Sequence, residues 1–265
     1  MAGAWSPDGV SMSNVLIDRD GDILIVTMNR PAVRNAIDIA TSRELFDAFQ
    51  GYERDDRARV AVLTGAGGTF CAGADLKAIA AGQRRTLIEE GPGPLGPTRM
   101  LLSKPVLAAV EGHAVAGGFE LALWCDLRVA AMDAVFGVFC RRFGVPLLDL
   151  GTVRLPRLIG HSNAMDLILT GRGVHGEEAL RMGLANRLVP HGQALDTAVS
   201  LAHDLARFPQ RCLRSDRLSA YEQWSMSYED GWRNELRRGR DVVESGETAD
   251  GAASFARGKG RHGAF

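Results

Sequence analysis

Apolar residues in this chain alternate between short β-rich runs and stretches of helical spacing. Val15 to Asp18 and Ile23 to Met28 flank Asp20-Gly21-Asp22, a tight-turn signal, so the pattern predicts an opening hairpin. Asn29-Arg30-Pro31 ends its second strand. Thr41 and Glu44 then stand at capping-box spacing, and Leu45, Phe46, Phe49 and Tyr52 share one helical face. The alternation repeats. Val60 to Thr64 is a buried-strand run closed by Gly65, Gly67 and Gly68, and a helix is expected from Asp75 to Ala81. Val106 to Val110 is a strand leading to Gly112, Gly117 and Gly118, then to a helix through Glu120, Leu121 and Trp124. Leu127 to Ala131 is strand again. Such alternation predicts an α/β core with parallel pairing and right-handed crossovers.

Beyond Thr152 the pattern turns helical, with one further strand-like run at Leu184 to Val189. From Gln193 to about Arg257 there is little but helix, carrying Trp224, Met226, Tyr228 and Trp232 in a region too thin to build a core alone. Such an appendage is expected to pack on a neighbouring subunit. The anticipated layout is an extension over residues 1–14, a core over 15–192 and a helical oligomerisation region over 193–265. The stretch Gly82 to Pro97, dense in Gly and Pro, reads as a mobile surface loop.

Composition narrows the function. With 46% hydrophobic and 24% charged residues the 265-residue chain can bury a full core, which rules out wholesale disorder. Lys plus Arg number 31 against 32 for Asp plus Glu. No global field therefore draws the chain to nucleic acid or an anionic membrane, and an anionic ligand must rely on local basic residues. Cys71, Cys125, Cys140 and Cys212 form no C-x-x-C pair and no zinc-ligand spacing, so no metal is expected, and they suit a reducing compartment. Lacking a membrane-length apolar run and a signal-peptide pattern, the sequence reads as cytoplasmic.

Two segments share one design of strand, Gly-rich turn and helix start: Val60 to Thr64 leading to Cys71-Ala72-Gly73-Ala74-Asp75, and Val106 to Val110 leading to Ala114-Val115-Ala116-Gly117-Gly118-Phe119-Glu120. Taken singly, each is explained by glycines that permit a tight turn. Two such ends converging on one point would offer two N–H donors to a carbonyl oxygen gaining negative charge, with a carboxylate on the first turn of the second helix.

These segments, with Asn29-Arg30-Pro31 and Asn35-Ala36, Thr69 to Lys77, Glu111 to Glu120, Phe136-Gly137, Arg154 to Gly160 and Met182 to Val189, resemble the crotonase superfamily, also called the enoyl-CoA hydratase/isomerase family. The likeness keeps register from about Val15 to Arg207. It implies a spiral of ββα units with a C-terminal helical trimerisation region, assembled as a homotrimer or a dimer of trimers. It also implies an acyl-CoA thioester as ligand and no cofactor beyond that coenzyme A. By motif position the backbone N–H groups of Ala74 and Gly117 would hold the thioester oxygen. Ala72, Asp75, Leu76 and Lys77 would border the CoA moiety, and Lys77 with Arg30 would supply local positive charge, whereas Arg84 and Arg85 read as solvated side chains. Glu120 falls on one of the family's two acid/base glutamates.

The other acid position falls at Cys140, and a thiol with a pKa near ~8.5 is a poor substitute for a carboxyl group. Cys140 therefore reads as a packing residue. Asp149 lies close to where some crotonase relatives place an active-site aspartate; it reads equally as a loop or helix-capping residue before Gly151-Thr152. The resemblance thus implies hydration of an enoyl-CoA, with double-bond isomerisation or other enolate chemistry through Glu120 and Asp149 as the alternative. From a different class, a non-catalytic acyl-CoA-binding subunit also fits. A nicotinamide dehydrogenase, a P-loop enzyme and a serine hydrolase each lack their motif.

Overall fold

A computed structural model of the chain describes residues 13–83 and 87–260. The expected extension therefore lies mostly outside the described residues, as do Arg84 and Arg85. The chain divides into two compact units, residues 1–202 and 203–265.

The first unit is built on a six-stranded sheet. The hairpin β1 (Val15–Asp20) and β2 (Ile23–Met28) is antiparallel, and β3 (Val60–Gly65), β4 (Val106–Val110), β6 (Leu127–Ala131) and β9 (Arg187–Val189) follow in parallel, in the spatial order β1-β2-β3-β4-β6-β9. Val60 to Thr64 of β3 and the whole of β4 are buried, which explains their apolar runs, since a parallel strand covered on both faces has no solvent side to make polar. Edge strand β1 instead exposes Asp18, Arg19 and Asp20, charges that discourage edge-to-edge pairing. A second, three-stranded sheet sets β5 (His113–Val115) parallel to β7 (Val135–Gly137) and β8 (Gly173–His175) antiparallel to β7. Three-residue strands carry almost no periodicity, and this sheet was not legible in the sequence.

Helix α1 (Ile39–Arg54) packs Leu45, Phe49 and Tyr52 into the core, where the Phe49 ring meets Trp124 edge-on at 4.7 Å. Its cap is not the expected Thr41/Glu44 box. Asp38 accepts the Thr41 N–H at 2.8 Å, while Glu44 accepts the Val15 N–H at 3.0 Å and ties down the start of β1. Helices α2 (Leu76–Ala80) and α3 (Gly117–Trp124) follow the two glycine-rich turns; α4 (Gly151–Ile159), α5 (His161–Thr170) and α6 (Gly176–Met182) complete the region before β9. Arg128 on β6 is buried and donates to the carbonyls of Leu184 at 2.6 Å and Cys125 at 2.8 Å, joining the ends of several elements.

Helix α7 (Ala194–Arg207) carries the junction between the units. In the second unit, α8 (Gln210–Glu222) and α9 (Tyr228–Glu244) are stapled by the Glu222 carboxylate, which accepts from Asn234 at 2.8 Å and from the Arg238 guanidinium. Those two donors hold the Glu222 carboxyl below its ordinary range. Tyr228, Trp232, Leu236 and Val243 on α9 stay exposed, Tyr228 by 92%, before α10 (Glu247–Ala256).

Candidate active site

The two glycine-rich turns meet. A side chain on Gly73 would place its Cβ 2.6 Å from the Gly117 nitrogen, and one on Gly117 would lie 3.4 Å from the Gly73 Cα, so the backbones touch because neither residue has a side chain. Gly73 also takes φ +91°, a conformation that favours glycine. The N–H groups of Ala74 and Gly117, one residue beyond or within this contact, are not among the hydrogen-bond donors of the described residues. At Gly117 this follows from helix geometry, because the first N–H groups of α3 have no intrahelical acceptor. At Ala74 the flanking groups are engaged instead: Ile37 donates to the Gly73 carbonyl and Asp75 donates to that of Ile37. Ala116 adopts φ 54° and ψ −124°, costly for a residue with a side chain, and this turn sets the direction of the Gly117 N–H. Asn35 supports the arrangement from below. Buried, it donates to the carbonyls of Ala66 and Thr69 and accepts from the Arg30 N–H, clamping the turn after β2 to the turn after β3.

Both turns open into a cavity of about 630 Å³, within the usual size of a small-ligand site. Ala72, Ala74, Leu76, Gly117, Glu120, Cys140 and Asp149, all singled out from the sequence, line this one space. Glu120, on the first turn of α3, is 3% exposed. Its Oε1 accepts two main-chain hydrogen bonds, from Asp149 at 2.9 Å and from Gly151 at 2.8 Å. Gly151 allows that closeness, since a Cβ there would meet Oε1 at 2.8 Å. Burial, and then the charge of Asp149, push the Glu120 carboxyl up to about 7, against the pull of the amides. A carboxyl group that gains and loses its proton near neutrality suits proton transfer.

Asp149 is equally buried, and its own carboxylate is turned to the loop. Oδ1 accepts from the Leu95 N–H at 2.9 Å and from the Thr98 hydroxyl. Arg154 braces the same corner, donating to the carbonyls of Asp149 at 3.0 Å and Thr98 at 2.6 Å. The second half of the loop expected to be mobile is thereby fixed. Leu95 is buried with its side chain against Gly117, and Ser42 donates to the Pro94 carbonyl at 2.8 Å. Leu95, Gly151 and Ala116 are site residues that sequence reasoning missed. A lone buried leucine between Pro94 and Gly96 was a usable signal; nothing in the residue type marks Ala116.

Asp75 and Lys77 do not line the cavity. Asp75 caps α2, with Oδ1 accepting from Lys77 and Ala78 at 3.1 Å each, and pairs through Oδ2 with Arg30 at 3.1 Å. Arg30 also pairs with Asp38 at 3.1 Å, so its charge is spent inside the fold and it corrects the expectation of a cation offered to a ligand. Lys77 is exposed on the first turn of α2. Away from the cavity, Glu111, Asp133 and His191 bring potential metal-ligand atoms within 4.8 Å of one another, with His191 Nδ1 already 3.1 Å from the Asp133 carboxylate. Among the described residues no helix is long and apolar enough to cross a membrane.

Comparison with known proteins agrees with this geometry. The enoyl-CoA hydratase/isomerase family model matches residues 18–257. The chain is 38% identical over 250 residues to the enoyl-CoA hydratase EchA19 of Mycobacterium tuberculosis, covering 92% of this chain and 93% of that protein. It is also 38% identical over 247 residues to a carnitinyl-CoA dehydratase of Salmonella arizonae, covering 91% and 94%. Among solved structures, the enoyl-CoA hydratase EchA1 of Mycobacterium marinum superposes with a TM-score of 0.86 at 38% identity, covering 92% of this chain and 96% of that one. By sequence over nearly its full length and by fold, the chain belongs to the enoyl-CoA hydratase/isomerase family of the crotonase superfamily.

Proposed function

We propose that the protein is an enoyl-CoA hydratase-type enzyme in which Glu120 carries the transferred proton and the N–H groups of Ala74 and Gly117 bind the thioester oxygen. The observation that carries this reading is the convergence of two uncommitted main-chain donors and a carboxyl group with a pKa of about 7 on one cavity. In the hydration direction, ionised Glu120 takes a proton from water as the hydroxyl oxygen bonds to Cβ. The π electrons move onto the thioester oxygen, where the two amides stabilise the enolate. Glu120 then returns its proton to Cα. Each such amide is worth ~2.7–4 kcal/mol of barrier. Activation resides in the thioester, so no cofactor beyond coenzyme A is required.

Asp149 serves in this scheme as a positioning residue. Its main-chain N–H holds Glu120, its carboxylate holds Leu95 and Thr98, and its charge helps keep the Glu120 proton in place. Ala72 and Leu76 border the path of the CoA moiety, with Lys77 at the surface beyond them. The second reading is double-bond isomerisation, favoured by the thiol at Cys140, where a second acid would otherwise stand; there Glu120 moves a proton from C2 to C4 of a 3-enoyl thioester. The apolar face of α9 supports residues 193–265 as the region through which copies assemble as a trimer or dimer of trimers. Four free thiols suit a reducing cytoplasm.

Ultraviolet assays on 2- and 3-enoyl-CoA thioesters test these readings. Loss of the conjugated absorbance of a 2-enoyl thioester, abolished by Glu120→Gln, supports hydration. Gain of that absorbance from a 3-enoyl thioester, without hydration, supports isomerisation. Tight binding with neither reaction would overturn both in favour of a binding subunit.

A further inference from the structure

The cavity holds a nucleophile that the proposed reaction leaves idle. Cys140 stands in the short helical turn Phe139–Phe143, is 7% exposed and lines the cavity together with Glu120. Its sulfur is approached by the backbone N–H groups of its own turn, at Cys140 and Arg141, but its S–H meets no acceptor among the described residues, whereas Cys71 donates to the Asn35 carbonyl and Cys125 to that of Leu121. Glu120 is held by main-chain N–H groups alone: Oε1 accepts from Asp149 and Gly151, and the Leu148 N–H also bonds the carboxylate. A buried thiol with no acceptor for its proton and a carboxylate whose charge reaches it therefore line the same cavity.

A 2-enoyl thioester is electrophilic at Cβ, and a thiol adds there as water does. Resting on the acyl-CoA reading above, we propose that Cys140 is a covalent capture site for 2-enoyl-CoA thioesters, forming a β-thioether in competition with hydration. In this step sulfur bonds to Cβ while Glu120 takes the thiol proton. The π pair moves onto the thioester oxygen at the Ala74 and Gly117 amides, and Glu120 then delivers that proton to Cα. One S–H bond and one C=C π bond break, one S–C and one C–H bond form, and nothing is oxidised or reduced. Reversal by the same path releases the intact thioester. Burial and the neighbouring Glu120 charge keep the thiol protonated, so capture depends on Glu120 as base rather than on free thiolate. The adduct places the acyl chain across the cavity and blocks turnover until sulfur leaves.

The test incubates the full chain with crotonyl-CoA or with saturated butyryl-CoA, quenches in acid, and reads intact mass and peptide maps. Calorimetric titration of both thioesters runs in parallel. The expected result is one added crotonyl-CoA on the peptide carrying Cys140, none with butyryl-CoA and none in Cys140→Ala. Glu120→Gln should slow adduct formation on the order of 100-fold, and Cys212→Ser, which removes the exposed thiol, should leave it intact. Binding of both thioesters without an adduct on Cys140 overturns capture alone. An adduct found only on Cys212, or one formed equally fast by Glu120→Gln, also overturns it. Failure to bind either thioester overturns the acyl-CoA reading and capture with it.

Discussion

Replacing Glu120 by Gln should stabilise the protein while removing its activity, and the gain should appear only as pH rises. The folded state raises this carboxyl from 4.5 to about 7, chiefly by burial, so the unfolded chain releases the proton first. Below pH 4.5 both states hold the proton and the group costs nothing. Between pH 4.5 and 7 the folded state binds one proton more than the unfolded state, and stability falls with each pH unit; above 7 the loss is complete. At about 1.36 kcal/mol per pH unit, the full penalty is ~3 kcal/mol. Glutamine keeps an oxygen to accept the Asp149 and Gly151 N–H groups and carries no charge at any pH. Urea unfolding of both proteins at pH 5 and pH 8, at one protein concentration, reads the difference directly. The stability gap in favour of the variant should widen by ~2–3 kcal/mol between the two pH values. Parallel behaviour would refute the reasoning, because it would mean that the Glu120 proton has the same affinity folded and unfolded.

Other outcomes follow from the same geometry. Asp149→Asn retains an acceptor for Leu95 and Thr98 but drops the charge beside Glu120, so the rising limb of kcat/KM against pH should move to lower pH; an unmoved limb would separate Asp149 from the Glu120 proton. Gly73→Ala drives a Cβ toward the Gly117 nitrogen at φ +91° and should cost on the order of 100-fold in kcat/KM with circular dichroism unchanged; full activity would exclude that amide from the reaction. Arg128→Ala strands the carbonyls of Leu184 and Cys125 in the core and should lower stability by ~3 kcal/mol, read from denaturant midpoints; a loss under ~1 kcal/mol would show these bonds to be dispensable. Trp232→Asp charges the exposed face of α9, and light scattering should register a smaller assembly; an unchanged mass would remove that face from any subunit contact.

Where the chain could be read from its residues, the reason is that local pattern and tertiary role coincide. Val60 to Thr64 and Val106 to Val110 are buried on both faces, so their apolar runs announce strands directly. Gly73 and Gly117 were legible because only residues without side chains allow the two turns to touch. Glu120 stood out through its place on a helix start beside them. The remainder depends on long-range contacts that leave no local trace. Glu44 has capping-box spacing yet binds the start of β1, and Arg30 resembles a ligand cation yet is neutralised by Asp38 and Asp75. Asp149 and Leu95 are 54 positions apart, and their hydrogen bond turns a Gly/Pro-rich stretch into a fixed wall of the cavity.

Because Glu120 is gripped by peptide nitrogens at positions 149 and 151, its hold does not depend on the identity of the side chain at the first of them. Selection is then free to rewrite the groups around the carboxyl, trading an acid for a thiol at position 140 or altering the residue at 149, while the proton carrier keeps its address. A scaffold that anchors its one indispensable group through the polypeptide backbone can explore new reactions one substitution at a time without first dismantling the old one.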